Sequence, residues 1–189
     1  MATADDAGLA TVADAALRRP APPAVVRWRS WVRDHPVGGA LVAGFIATWI
    51  ATIVGFWFAG IGLPQINWPR INGSILAPGA TPTAQFVLGI FVHGITGLVF
   101  VVIFALVVFP YLGRSVSPLT TMIKCVAFSL VLATAAVGFM VPYVYFPHRG
   151  VGLFATGLGW KVPFALYLWH LAFGIALGLL YNPLPAERD

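Results

Sequence analysis

Four uninterrupted apolar stretches, at roughly 37–59, 84–109, 119–142 and 162–182, set the limits on what this chain can fold into. Each is long enough for a helix to cross a hydrocarbon core of about 30 Å, which takes roughly 20 residues. Proline and glycine punctuate every gap. Pro64, Pro69, Pro78 and Pro82 follow the first stretch, Gly113 and Pro118 the second, Pro147, Gly150 and Gly152 the third, and Pro183 and Pro185 the fourth. Pro163 lies near the start of the fourth stretch, where a missing N–H costs little. The chain therefore reads as all-α, a four-transmembrane-helix bundle.

Composition agrees, with 59% of residues hydrophobic and 9% charged. The carboxylates are Asp5, Asp6, Asp14, Asp34, Glu187 and Asp189, so none lies between His35 and Ala186. Paired-carboxylate hydrolysis and an intramembrane Asp/Glu relay are thereby removed, as is a hard-cation site inside the bundle. A single cysteine, Cys125, gives neither an internal disulfide nor a cysteine-based metal site. The net charge of +5 comes without a basic patch interleaved with aromatics on a soluble surface, so it points to topology and not to nucleic acid. Arg18, Arg19, Arg27, Arg29, Arg33, Arg114, Lys124 and Arg188 fall on one side, and Arg70, Arg149 and Lys161 on the other. That asymmetry predicts cytoplasmic termini, with loops 60–83 and 143–161 outside.

Residues 1–23 read as a flexible tail, and 183–189 as a C-terminal tail. Residues 24–36 have Val25, Trp28, Trp31 and Val32 on one helical face and Arg27, Arg29 and Arg33 on the other. That pattern suits an amphipathic helix lying on an anionic membrane surface. A ragged lead-in to the first span is an equal alternative. The bundle also reads as two repeated helical hairpins. "VGF" recurs at 54–56 and 137–139, and "HGITG" at 93–97 is answered by "HLAFG" at 170–174. Small residues that let backbones approach run along the first span as Ala43, Ala47, Ala51 and Gly55, and along the fourth as Gly174-x-x-x-Gly178. Gly89, His93 and Gly97 share one stripe of the second.

An imidazole in hydrocarbon is costly unless its polar atoms are satisfied, which makes His93 and His170 the candidate site. Three readings compete. The rings fix helix register through a hydroxyl, indole or carbonyl, with Thr48, Thr96, Thr134, Tyr167 and Trp169 as candidate partners. Alternatively they ligate one haem b between spans two and four, with Gly97 and Gly174 leaving room for the macrocycle and Arg149, Lys161 and Arg70 near the propionates. In the third reading they line a pocket for a quinone, lipid or pigment. No metal site without haem is expected. Trp68, Tyr143, Tyr145, Phe146 and Trp160 suit an interfacial aromatic belt. Asn72-Gly73-Ser74 matches a glycosylation triplet, a pattern common by chance.

The segments "GALVAGFIATWIATIVGF", "FVHGITGLVFVVIFALVVFPYLG", "KCVAFSLVLA" and "LWHLAFGIALGLLYN" resemble a family of small bacterial four-helix integral membrane proteins whose domain has no assigned function. The resemblance covers roughly 37–182. It implies four spans and a bacterial origin, and no reaction. The long first external loop and the "RWRSW" extension depart from the short family core and point to a partner. The leading expectation is a non-catalytic accessory subunit of a larger membrane complex, most plausibly in respiratory or photosynthetic electron transfer. The alternatives are a b-type cytochrome-like subunit using His93 and His170, and a small transporter or quinone- or lipid-binding module. Membrane lipids are partners in each case, and no nucleic acid or soluble substrate is. The arginine asymmetry yields a direct expectation: reporters fused at Gly79 and after Asp189 lie on opposite sides of the membrane, with the second in the cytoplasm. Same-side reporters would refute it.

Overall fold

The computed structural model describes residues 22–113 and 116–185. Six helices organise them. They are α1 (Ala24–Asp34), α2 (Pro36–Trp57), α3 (Trp68–Leu76), α4 (Pro82–Ile103), α5 (Pro118–Ala135) and α6 (Lys161–Leu180). A 3-10 turn extends α2 to Ile61, a π turn and a final α turn extend α4 to Tyr111, and a π segment extends α5 to Tyr145. The four long units thus run Pro36–Ile61, Pro82–Tyr111, Pro118–Tyr145 and Lys161–Leu180, each long and apolar enough to cross a bilayer. The boundaries match the expected spans to within three residues. Proline stands in the first turn of α2, α4 and α5, where a missing N–H costs nothing. The hydroxyls of Thr81 and Ser117 accept from the backbone N–H three residues on and cap α4 and α5.

The helices do not form a closed ring. α2 packs against α4 and α6, and α6 packs against α2 and α5. Among the described residues α4 and α5 do not pack along each other. The order across the bundle is therefore α4, α2, α6, α5, with α2 and α6 in the middle. A two-fold repeat of hairpins would give α4 and α5 the same contact that α2 and α6 share. The paired sequence motifs are thus not matched by symmetric packing.

Small residues make the central contacts. Ala43, Ala47 and Ala51 are fully buried on α2. A methyl group at Gly44 would lie 2.3 Å from Val101, and one at Gly55 would lie 2.7 Å from Trp169. On α6, a methyl at Gly174 would meet Ser129 and the Val126 backbone, and one at Gly178 would meet Met122. These are the close approaches that hold helices together when lipid supplies no hydrophobic force between them.

Two short helices finish the ends of the bundle. α1 breaks at His35 (φ −132°, ψ 66°), because Pro36 disfavours helical geometry in the residue before it. It then folds against the C-terminal end of α6. Trp28 Nε1 donates to the Leu180 carbonyl at 2.7 Å, and Arg29 Nε to the Asn182 carbonyl at 3.0 Å. Leu184 N in turn donates to the Arg29 carbonyl at 3.1 Å. The indole N–H thus meets the last carbonyl of α6, which has no partner within the helix, and the guanidinium meets a carbonyl just beyond it. Val32 is fully buried over Gly39, while Val25 and Trp31 stay exposed. α1 is therefore a packed clasp as well as an amphipathic helix. Arg33 pairs with Asp34 at 2.8 Å and holds that exposed carboxyl below its usual range. The expected tail 1–23 lies outside the described residues except for Pro22 and Pro23, as do Arg114, Arg188 and the residues after Pro185.

α3 arises inside the expected loop 60–83. Asn67 caps its first turn by accepting from Arg70 N at 3.0 Å. The helix then lies directly on α4, backbone to backbone. A methyl at Gly89 would strike the Pro69 carbonyl, and one at Gly73 the Gln85 carbonyl. Asn72 is buried in this packing, so the Asn72-Gly73-Ser74 triplet is no accessible glycosylation site. Trp68 is buried too and Tyr145 is half-buried, whereas Tyr143 and Trp160 are exposed as a belt residue would be.

The glycine contacts predict that Gly174→Leu and Gly178→Leu each lower stability by about 1–3 kcal/mol or prevent folding, since overpacked side chains would face backbone that cannot yield. Leu179→Ala, at a position 66% exposed, is expected to change stability far less. Thermal unfolding of the three purified variants checks the ranking, and equal melting temperatures would remove the interface.

Candidate functional site

Because α4 and α5 stand apart, a cavity of about 290 Å³ lies between them. Thr48 from α2 and Trp169, His170 and Phe173 from α6 line it, together with His93 on α4. Trp68 and Asn72 from α3 and Tyr145 from the end of the α5 unit cover one end. Thr96 and Phe100 on α4 line it as well, as do Ala135 and Phe139 on the α5 side. Those four are exposed mid-helix residues, so the cavity is a cleft with its mouth on the flank of the bundle. No lining residue carries a formal charge at neutral pH when the imidazoles are neutral.

The π segment Ala136–Tyr145 shapes the α5 wall. Pro142 sits inside it with no N–H to give to the preceding turn, and the wider winding relieves the clash of the ring. The segment carries Tyr145 to α3, where its hydroxyl donates to Asn72 Oδ1 at 3.0 Å. Trp68 packs on Tyr145 with ring centres 5.5 Å apart, and on Trp169 at 6.1 Å.

His93 is buried, with Nε2 2.9 Å from Thr52 Oγ1. The Thr52 hydroxyl donates its one hydrogen to the Thr48 carbonyl at 2.7 Å. It therefore accepts from His93, so the neutral ring carries its proton on Nε2 and a lone pair on Nδ1. Trp49 and Trp169 meet the ring edge-on at 6.0 and 5.8 Å. His170 is buried as well, and its Nδ1 lies 2.8 Å from the Leu166 carbonyl one turn back. A carbonyl only accepts, so Nδ1 carries the proton and Nε2 the lone pair. Both imidazoles thus anchor their proton in the protein and keep an acceptor nitrogen free of protein partners.

Of the residues expected from sequence, His93, His170 and Gly97 come together at the cleft. Gly97 also packs on Thr48 of α2. Gly174 and Arg149 do not join them. Gly174 faces Ser129 on α5, and Arg149 is exposed, with its guanidinium 5.3 Å from the Phe146 ring centre. Thr134 and Tyr167, considered as imidazole partners, bond to each other at 2.9 Å. The partner actually used, Thr52, had a signal in the sequence. Thr48 and Thr52 are the two hydroxyls of the first span and lie one turn apart. Trp68, Asn72 and Tyr145 had none, because only the folding back of α3 brings them in.

A bis-histidine haem b does not fit this arrangement. The nitrogen of His93 that faces away from its neighbour is Nδ1, crowded by its own Cβ, while Nε2 is tied to Thr52. Gly174 leaves no room toward the cleft, and Arg149 is not at it. Among the described residues no three of His, Cys, Asp and Glu come together as a metal site.

Fold and site together define a helical membrane protein with four long apolar helices and a side-opening cleft. No family model, curated protein or solved structure matches the chain.

The His93–Thr52 bond predicts that His93→Leu and Thr52→Val are each destabilising and that their effects are not additive. A coupling of about 0.5–2 kcal/mol is expected for a hydrogen bond between membrane helices. His93→Gln, which can still donate, should retain more of the stability than His93→Leu. A double-mutant cycle on unfolding free energies gives the coupling directly, and full additivity would exclude the bond.

Proposed function

We propose that this chain is a non-catalytic membrane protein that holds a lipophilic small molecule in the cleft between α4 and α5. The observation that carries the reading is the position of the mouth. It opens halfway along two long apolar helices, where acyl chains and not water would meet it, and its inner wall carries two imidazole acceptors. Concave, mostly apolar sites with a few polar groups are the usual form of small-molecule pockets.

The wider setting follows the sequence. Lysine and arginine asymmetry supports cytoplasmic chain ends in a bacterial inner membrane. An accessory role beside a larger electron-transfer complex is supported by α4, whose most apolar window is only 22% buried within the chain, against 44–50% for the other three. A helix so lightly covered leaves a long apolar face for lipid or for another subunit. The resemblance to small bacterial four-helix proteins belongs to the same proposal.

Ala135→Phe tests the pocket. Ala135 lies at the mouth and is exposed, so a larger ring there blocks the cleft without overpacking a core. The protein purified from its own membranes is expected to carry a lipophile near one per chain by mass spectrometry of the extract. Ala135→Phe should lose most of it and still purify as folded, monodisperse protein. Identical extracts from both proteins would refute the pocket. Larger subunits retained through the same purification would support the accessory role, and a bare protein would count against it.

A further inference from the structure

Thr96 and Asn72 give the cleft lining groups that can donate, but its two imidazoles offer only acceptors, and these select what an occupant places against them. His170 Nδ1 donates to the Leu166 carbonyl in its own helix, so the cleft-lining ring keeps a lone pair on Nε2. His93 Nε2 donates to Thr52, so its Nδ1 keeps a lone pair as well. Among the described residues no donor is bonded to either atom. An acceptor set in hydrocarbon surroundings is satisfied only by a donor that the occupant brings. The matching ligand therefore donates.

Three buried polar atoms do lack partners near the cleft, namely Thr48 Oγ1, Trp68 Nε1 and Trp169 Nε1. They do not alter the selection, because each is sealed from any occupant. Trp169 Nε1 lies beside Gly55 of α2, and Thr48 Oγ1 is pressed on Gly97.

Charge and shape narrow the class further. With no Lys or Arg lining the cleft, a phosphate or carboxylate head group would stand unpaired in a low-dielectric site. The ligand is therefore uncharged. Trp68, Trp169, Phe173 and Tyr145 supply flat walls that favour a planar ring. The mouth at mid-span lets an apolar tail leave sideways between Phe100 and Phe139.

We infer that the cleft binds a neutral lipid with a hydroxyl-bearing aromatic ring, of the quinol type, whose hydroxyl donates to His170 Nε2. The inference rests on the pocket reading above and adds the identity of the head group. It concerns binding, and no oxidation step is assigned. The reduced form of a quinone supplies a donor to His170 Nε2, whereas the oxidised form sets a carbonyl lone pair against that nitrogen and gains no bond to it.

The test uses the full chain in detergent micelles, anaerobically, with apparent affinities from thermal shifts over a range of probe concentrations. The probes are decylubiquinol, decylubiquinone, the dimethyl ether of decylubiquinol, and dioleoylglycerol. Decylubiquinol is expected to bind at least about tenfold more tightly than the other three, a difference of one strong hydrogen bond. His170→Phe should erase that preference. His170→Gln should keep it, because the side-chain oxygen can still accept. Ala135→Phe should weaken every probe alike.

Equal affinity for quinol, quinone and ether in the wild type would overturn the head-group assignment and leave the pocket standing. So would a preference that survives His170→Phe. Equal affinity for dioleoylglycerol would overturn the ring. If no probe shifts the wild type, or if Ala135→Phe binds as the wild type does, the pocket itself falls. Should His170→Phe fail to fold, the ether comparison and His170→Gln still decide.

Discussion

Close approach of helices through small residues is the constraint on which the rest of the structure depends. In a bilayer, lipid tails are as apolar as leucine, so helices associate where small residues let many atoms touch. Ala43, Ala47, Ala51 and Gly55 give α2 such a face, and Gly174 and Gly178 give α6 another. α6 uses its glycine face on α5, while Trp169 settles over Gly55 of α2. α4 uses Gly97 on α2 and Gly89 on α3. The two outer helices have no comparable faces left for each other. The cleft is thus a consequence of which helices own the small residues, and not a defect in packing.

The same economy of contacts explains the polar interior. A hydroxyl or imidazole in this setting must be satisfied locally, and the chain satisfies each proton first. Thr52 donates to Thr48, His93 donates to Thr52, and His170 donates to Leu166. Each step consumes a hydrogen and passes on a lone pair. The chain of bonds ends at two imidazole nitrogens on the wall of the cleft. Fixing the tautomers in this way gives the site a direction, since a neutral ring held by its only N–H cannot also donate to an occupant.

The short helices close what the long ones leave open. α1 lays Trp28 on the last carbonyl of α6 and Arg29 on the Asn182 carbonyl just beyond it, so α1 is clasped to the end of α6. α3 covers the opposite end of the cleft with Trp68 and Asn72, and the π segment after α5 delivers Tyr145 to meet it. Neither short helix could be stable alone at this length. Each exists because a long helix offers carbonyls or a glycine contact to receive it.

The sequence by itself determined the four long helices, since twenty or more apolar residues bounded by proline and glycine have no other way to satisfy their backbone in lipid. It also singled out His93 and His170 as titratable groups set in apolar helices, and Gly174 and Gly178 as marking a close contact. What only the tertiary structure decided was which faces meet. Periodicity within one helix carries no record of its neighbours, so Thr52 as the partner of His93, Gly174 facing α5, and Arg149 lying away from the site were not legible. Nor was α3, hidden in a loop where its short length leaves no periodic signal. The cleft belongs wholly to the tertiary level. It exists between two helices that do not pack along each other among the described residues, and that separation is a property of the assembled bundle rather than of any stretch of residues.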